Sequence, residues 1–119
     1  MFIDIHTHVE QFEDLEIPKI LHSATANKVD LIITAGTTIE SSQRSIDLSK
    51  KHPILLAGVG IHPMDINEEL PKNFEEILSA LINENKKNVI CISEIGLDFL
   101  PSSPNQKIQE EVFKIQIGI

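Results

Sequence analysis

The chain holds 119 residues, 41% of them hydrophobic and 24% charged, with ten basic against eighteen acidic side chains and a formal charge of −8. These proportions exclude a disordered chain, and no run approaches the ~18 apolar residues of a membrane span or shows a basic-then-apolar leader. The acidic balance excludes a broadly basic nucleic-acid surface, so any such partner must be drawn by a locally bound cation.

Apolar runs then alternate with amphipathic ones along a single domain, 1–119. Residues 1–5, MFIDI, read as a buried strand. Residues 17–29 follow as a helix, with Ile17, Ile20, Leu21 and Ala24 at helical spacing and Pro18 near its start. Residues 30–36, DLIITAG, form the next strand, closed by Gly36. The segment 38–52 is helical, with Lys50, Lys51 and His52 in the last turn, where cations suit the helix dipole, and Pro53 stops it.

Residues 53–63, PILLAGVGIHP, are a third strand running into a loop. The clearest helix covers 70–87: Pro71 lies near its start, and Phe74, Ile77, Leu78, Leu81 and Ile82 share one stripe. Residues 88–96, NVICISEIG, are a fourth, almost wholly apolar strand. A last helix over 105–119 aligns Ile108, Val112, Ile115 and Ile119. Near-continuous Ile, Val and Leu strands suit a parallel sheet covered by helices, which gives an α/β fold of four βα units in right-handed crossovers.

In such sheets, active sites form at the carboxyl ends of the strands, and the chemically distinctive residues of this chain sit there. His6 and His8 end the first strand. Strand alternation turns both to one face, an arrangement that suits a divalent metal or, equally, two solvated histidines. His62 follows the third strand, as a metal-site or plain loop residue. Glu94 follows the fourth, where a carboxylate after an apolar run needs a cation or hydrogen-bond donors. Asp98, just beyond, fits a turn cap as well as catalysis. Gly58, Gly60 and Gly96 serve turns and close backbone approach. His22 and His52 read as solvated helix residues, and Cys91 as a buried apolar side chain. That lone thiol agrees with a reducing, cytoplasmic compartment, and the absence of Trp and Tyr leaves little for stacking bases.

The motifs IDIHTHVE, AGTT, GVGIHPMD and ISEIGLDF, in this order and spacing, resemble the TatD family of metal-dependent deoxyribonucleases, within the amidohydrolase-like superfamily. The resemblance implies the amino-terminal half of a TIM-like (β/α) barrel with a divalent-metal site, two ions when complete. His6 and His8 match the histidines that bind one metal. Glu94 matches the catalytic glutamate that bridges two, and His62 the histidine that contacts the scissile phosphate. Asp98 matches an acid with an organising role. Zn, Mn and Mg all fall within the range of such ligands, Mg matching histidine least.

The implied reaction is cleavage of DNA phosphodiester bonds with a metal-activated water. Hydrolysis of esters or amides, including D-aminoacyl-tRNA deacylation, is an alternative within the same chemistry. Two local departures stand out: Ile5 replaces a small residue before the first histidine, and Glu10 replaces Asp or Asn after the second. The family barrel is about twice as long, and its later strands carry two further histidines and an aspartate that complete the ligands and supply the general base. A third reading is therefore an inactive, metal-binding half-barrel. Two open sheet edges are expected, through which such a half could associate.

Overall fold

The alternation of apolar and amphipathic segments resolves into four strands and four helices in a computed structural model that describes residues 2–119. Strands β1 (Phe2–Thr7), β2 (Val29–Ala35), β3 (Leu55–Val59) and β4 (Val89–Ile92) are separated by α1 (Ile17–Ala26), α2 (Ile39–Lys51) and α3 (Phe74–Glu84), and α4 (Gln106–Gly118) follows. All neighbouring strands are parallel, in the order β1-β2-β3-β4. Met1, the first residue of the expected first strand, lies outside the described residues. No helix among the described residues is long and apolar enough to cross a membrane.

Local chemistry sets the helix ends. Pro18 occupies the first turn of α1, where its missing N–H costs nothing. Thr38 and Ser41 form a reciprocal capping box at the start of α2, and Lys50 and Lys51 occupy its last turn. His52 is the cap that follows. Helix α3 is shorter than the expected 70–87: residues 70–73 are a turn leading in, and Asn85 ends it before the two lysines.

Two apolar clusters bind helices to the sheet and a third joins helices beside it. Val9, Ile17, Leu21, Ile32, Leu48 and Leu55 join α1 and α2 to one part of it. Ile46, Ala57 and Val59 seat α2 on β3, where the buried Ser42, Ser45 and Ser49 keep the helix surface flat. Ile61, Ile66, Phe74, Leu78 and Val112 join α3 and α4.

Two expectations need correction. The first strand is not buried: Ile5 is 72% exposed, and Phe2 and Ile3 are also open. Ile90 of β4 is exposed as well. Both strands are edges of the sheet, so their apolar side chains lack the second neighbour that β2 and β3 have. The second correction concerns α4, whose buried line is Gln109, Val112 and Gln116, with Ile115 and Ile119 beside it. Ile108 is exposed, because the fully buried positions of this helix are taken by two glutamines that bond the loops after β3 and β4. Cys91 is half-buried, and burial pushes its thiol up.

Candidate metal centre

The loops after β2, β3 and β4 are brought together by main-chain bonds that cross the top of the sheet. Gly36 N–H donates to Gly58 O at 3.0 Å, and Ser93 N–H to Val59 O at 2.9 Å. Glu94 N–H then reaches past β3 to Gly36 O, at 3.0 Å. Gly60 permits this crossing. A Cβ there would lie 2.7 Å from Ile95 Cγ2 and 3.1 Å from the carbonyl carbon of Ser93, closer than the packing allows.

The same loop is held from both sides. Ser42 Oγ accepts from Gly60 N–H at 3.1 Å and lies 3.3 Å from Gly60 O. Gln116 takes the next peptide, accepting from Ile61 N–H at 2.7 Å and donating to Ile61 O at 3.1 Å. His62 N–H completes the anchorage on Thr37 O at 2.9 Å. These buried amides and hydroxyls satisfy groups that would otherwise be stranded away from water.

First and fourth strands of a flat sheet would lie about 14 Å apart, three strand spacings. Here Glu94 Oε2 is 3.6 Å from His6 Nε2 and 3.4 Å from His8 Nε2. The His6 and His8 rings meet edge to face with centroids 5.1 Å apart, although β1 stops at Thr7 and His8 has already left extended geometry. One ligand atom from each of the three side chains lies within 4.8 Å of the others. Ligand atoms ~2.1 Å from one tetrahedral centre are spaced about 3.4 Å apart, so the two Glu94–histidine separations match a cation's coordination edge. His6, His8 and Glu94 are the one such metal-sized group among the described residues.

Hydrogen bonding sets which nitrogen His8 and His62 turn toward the site. His8 Nδ1 lies 2.9 Å from Ala35 O, a pure acceptor, so Nδ1 carries a proton and Nε2 is the nitrogen that faces Glu94. His62 has the opposite arrangement. Its Nδ1 accepts from Met64 N–H at 3.2 Å, so Nε2 carries the proton, 3.8 Å from Glu94 Oε1. His8 and His62 therefore turn their Nε2 atoms toward opposite oxygens of one carboxylate. Two imidazoles and a carboxylate, with His8 held in its ligating tautomer, fit a divalent cation.

Asp98 stands outside this group. Its Oδ1 accepts from Leu100 N–H at 3.1 Å and from Ser103 Oγ at 3.2 Å, while Gln109 grips its main chain through both N–H and C=O. That is the turn-holding alternative for this residue. His22 is exposed on α1, far in role from the cluster. Sequence reasoning noted Glu10 only as a departure from the family pattern and passed over Thr34; both lie buried behind His8. The signal available was the H-x-H-x-E spacing, which carries an acid back beneath the second histidine.

Comparison with known proteins follows the same lines. The family model described as TatD related DNase matches residues 3–119. An uncharacterized metal-dependent hydrolase, YabD of Bacillus subtilis, is 28% identical over 121 residues, covering 100% of this chain and 46% of the relative. The 3'-5' ssDNA/RNA exonuclease TatD of Salmonella typhimurium is 31% identical over 100 residues, covering 84% of this chain and 37% of its own length. The crystal structure of the TatD homologue YjjV from Escherichia coli superposes with a TM-score of 0.84 at 27% identity, over 98% of this chain and 45% of that one. The chain thus spans less than half the length of these relatives, as expected for the amino-terminal part of a (β/α) barrel.

Proposed function

This chain belongs to the TatD-related DNase family, and from that premise we propose that it carries the first part of a divalent-metal centre for phosphodiester hydrolysis. His6, His8 and Glu94 would hold the divalent cation. Zn and Mn suit these imidazoles better than Mg. When bound, such ions polarise the phosphodiester and lower the pKa of a water that attacks it.

The observation that carries this reading is the convergence of one ligand atom each from His6, His8 and Glu94 within 4.8 Å, with His62 Nε2 facing the same carboxylate. His8 offers a lone pair and ligates. His62 offers Nε2–H, which in this reading donates to a phosphate oxygen and stabilises charge developing there. The His62 ring faces the site, with Nε2 3.8 Å from Glu94 Oε1. Gly60 and Gln116 fix the loop that delivers it, so the donor is set in place before substrate arrives.

DNA is the proposed substrate, and the name of the Salmonella relative, a 3'-5' ssDNA/RNA exonuclease, points to single strands and to an exonuclease. Cations at the cluster overcome the repulsion between phosphates and a chain of charge −8. Cleavage is proposed for the complete site, with the strands that the longer relatives have in addition. Association through the open edges of β1 and β4 belongs to the same reading, since Phe2, Ile3, Ile5 and Ile90 leave apolar surface beside unpaired main-chain groups. The half-buried, reduced thiol of Cys91 fits a cytoplasmic setting.

Zinc titration of this chain tests the ligand assignment. His6→Ala, His8→Ala and Glu94→Ala are each expected to weaken binding by more than ~10-fold, and His22→Ala to leave it unchanged. In the complete protein the same three variants should abolish metal-dependent DNA cleavage. A Glu94→Ala chain that bound zinc as well as the parent would remove Glu94 from the site.

A further inference from the structure

Glu10 is the most deeply buried acid near the cluster, with its side chain 2% exposed. One carboxylate oxygen lies 3.2 Å from His8 Nδ1, and the other accepts from the Thr34 hydroxyl. Thr34 Oγ1 in turn accepts from the main-chain N–H of Glu10 at 3.3 Å. Arg44 approaches but does not neutralise the charge. Its Nε donates to Glu10 O at 2.7 Å, and its ion pair is with Asp14. Among the described residues, His8 is the one ion-pair partner of the Glu10 carboxylate.

A buried carboxylate is costly without positive charge to face it, and a neutral imidazole supplies only a proton to share. The far side of that imidazole opens on the cluster. We propose that Glu10 is a positioning residue of the metal centre, acting through His8 in a carboxylate–imidazole–cation line. This rests on the metal-site reading above. Ala35 O fixes the His8 tautomer, and Glu10 adds the negative charge that makes Nε2 a stronger ligand and balances a cation beyond it. His6 has no such support: its ring makes no hydrogen bond among the described residues and lies 3.6 Å from Glu94 Oε2. The two histidines of one motif are therefore unequal ligands.

The test is zinc affinity in a double-mutant cycle, with Zn²⁺ alone as the probe and metal-free thermal melting as the control. Glu10→Gln keeps the shape and an acceptor for Nδ1–H while removing the charge, and is expected to weaken zinc binding about 10- to 100-fold. Combined with His8→Ala it should add almost nothing, whereas combined with His6→Ala the two losses should multiply. Thr34→Val, which strips one carboxylate oxygen of its donor, should weaken binding in the same His8-dependent way and serves if Glu10→Gln does not fold. Equal losses in the His8→Ala and His6→Ala backgrounds, or affinity within twofold of the parent for both variants, would overturn the proposal. A parent chain whose zinc binding is indifferent to His8→Ala would instead overturn the metal-site reading itself.

Discussion

The inner and outer strands of this sheet are equally apolar in sequence and differ completely in surroundings. Val59 of β3 is 0% exposed and Ile5 of β1 is 72% exposed. The inner pair, β2 and β3, has a neighbour on each side and helices packed on it. The outer pair has one neighbour each. The division of labour follows the same line. The proposed ligands come from the outer strands, His6 and His8 at the end of β1 and Glu94 after β4. The inner strands supply what holds them: Ala35 O, Gly36 O, Thr34 and the Gly60 crossing. The rigid middle of the sheet thus aims side chains carried by its margins.

Matched substitutions would sharpen that contrast. Leu55→Ala in β3 is expected to cost about 2–5 kcal/mol, the range for deleting a buried leucine, read as a fall in the urea midpoint. Ile5→Ala in β1 should stay within about 0.5 kcal/mol, because it removes exposed surface only. A comparable loss at Ile5 would show that β1 is covered in solution, and the inner–outer distinction would fail.

The clamp of α4 on the β3 loop ranks next. Gln116→Leu keeps the volume but leaves the N–H and C=O of Ile61 without partners, at a cost of about 1–3 kcal/mol. Denaturant unfolding measures the loss, and the His62 ring resonances should shift with it. Unchanged stability would mean that water reaches this peptide.

The smallest effect concerns Cys91 on β4. Burial raises its thiol pKa, so the native chain stays protonated to higher pH than the unfolded one. The stability this group contributes is complete below the free-thiol value and is lost as pH rises through the raised native value. Alkylation requires the thiolate, so its rate against pH should begin to climb later in the native chain than in urea. Coincident profiles would place β4 in open solvent, even more exposed than the rest of the outer pair.

Element types and order were legible in the sequence because they are local. Continuous apolar runs mark the strands and period-3.6 stripes the helices, with Pro18, Gly36 and Pro53 as local punctuation. The motifs likewise named His6, His8, His62 and Glu94, since each follows a strand whose end is easily read. Burial was another matter. Phe2, Ile3, Ile5 and Ile90 read as core because apolar composition reports affinity for an interior, whereas sheet order decides whether an interior is there. The buried faces of Gln109 and Gln116 ran against the apolar stripe of α4 for a similar reason. Their partners lie on loops that only the fold brings near.

By itself, then, the sequence determined an α/β chain of four βα units and the residues able to ligate. Only the tertiary structure decided how those residues are primed. The proton on His8 Nδ1 depends on Ala35 O, 27 positions away, and the loop bearing His62 depends on Gln116, which grips Ile61 from 55 positions away. Such bonds leave no periodic trace in the chain, because a directed hydrogen bond selects an atom in space and sequence spacing selects only a face.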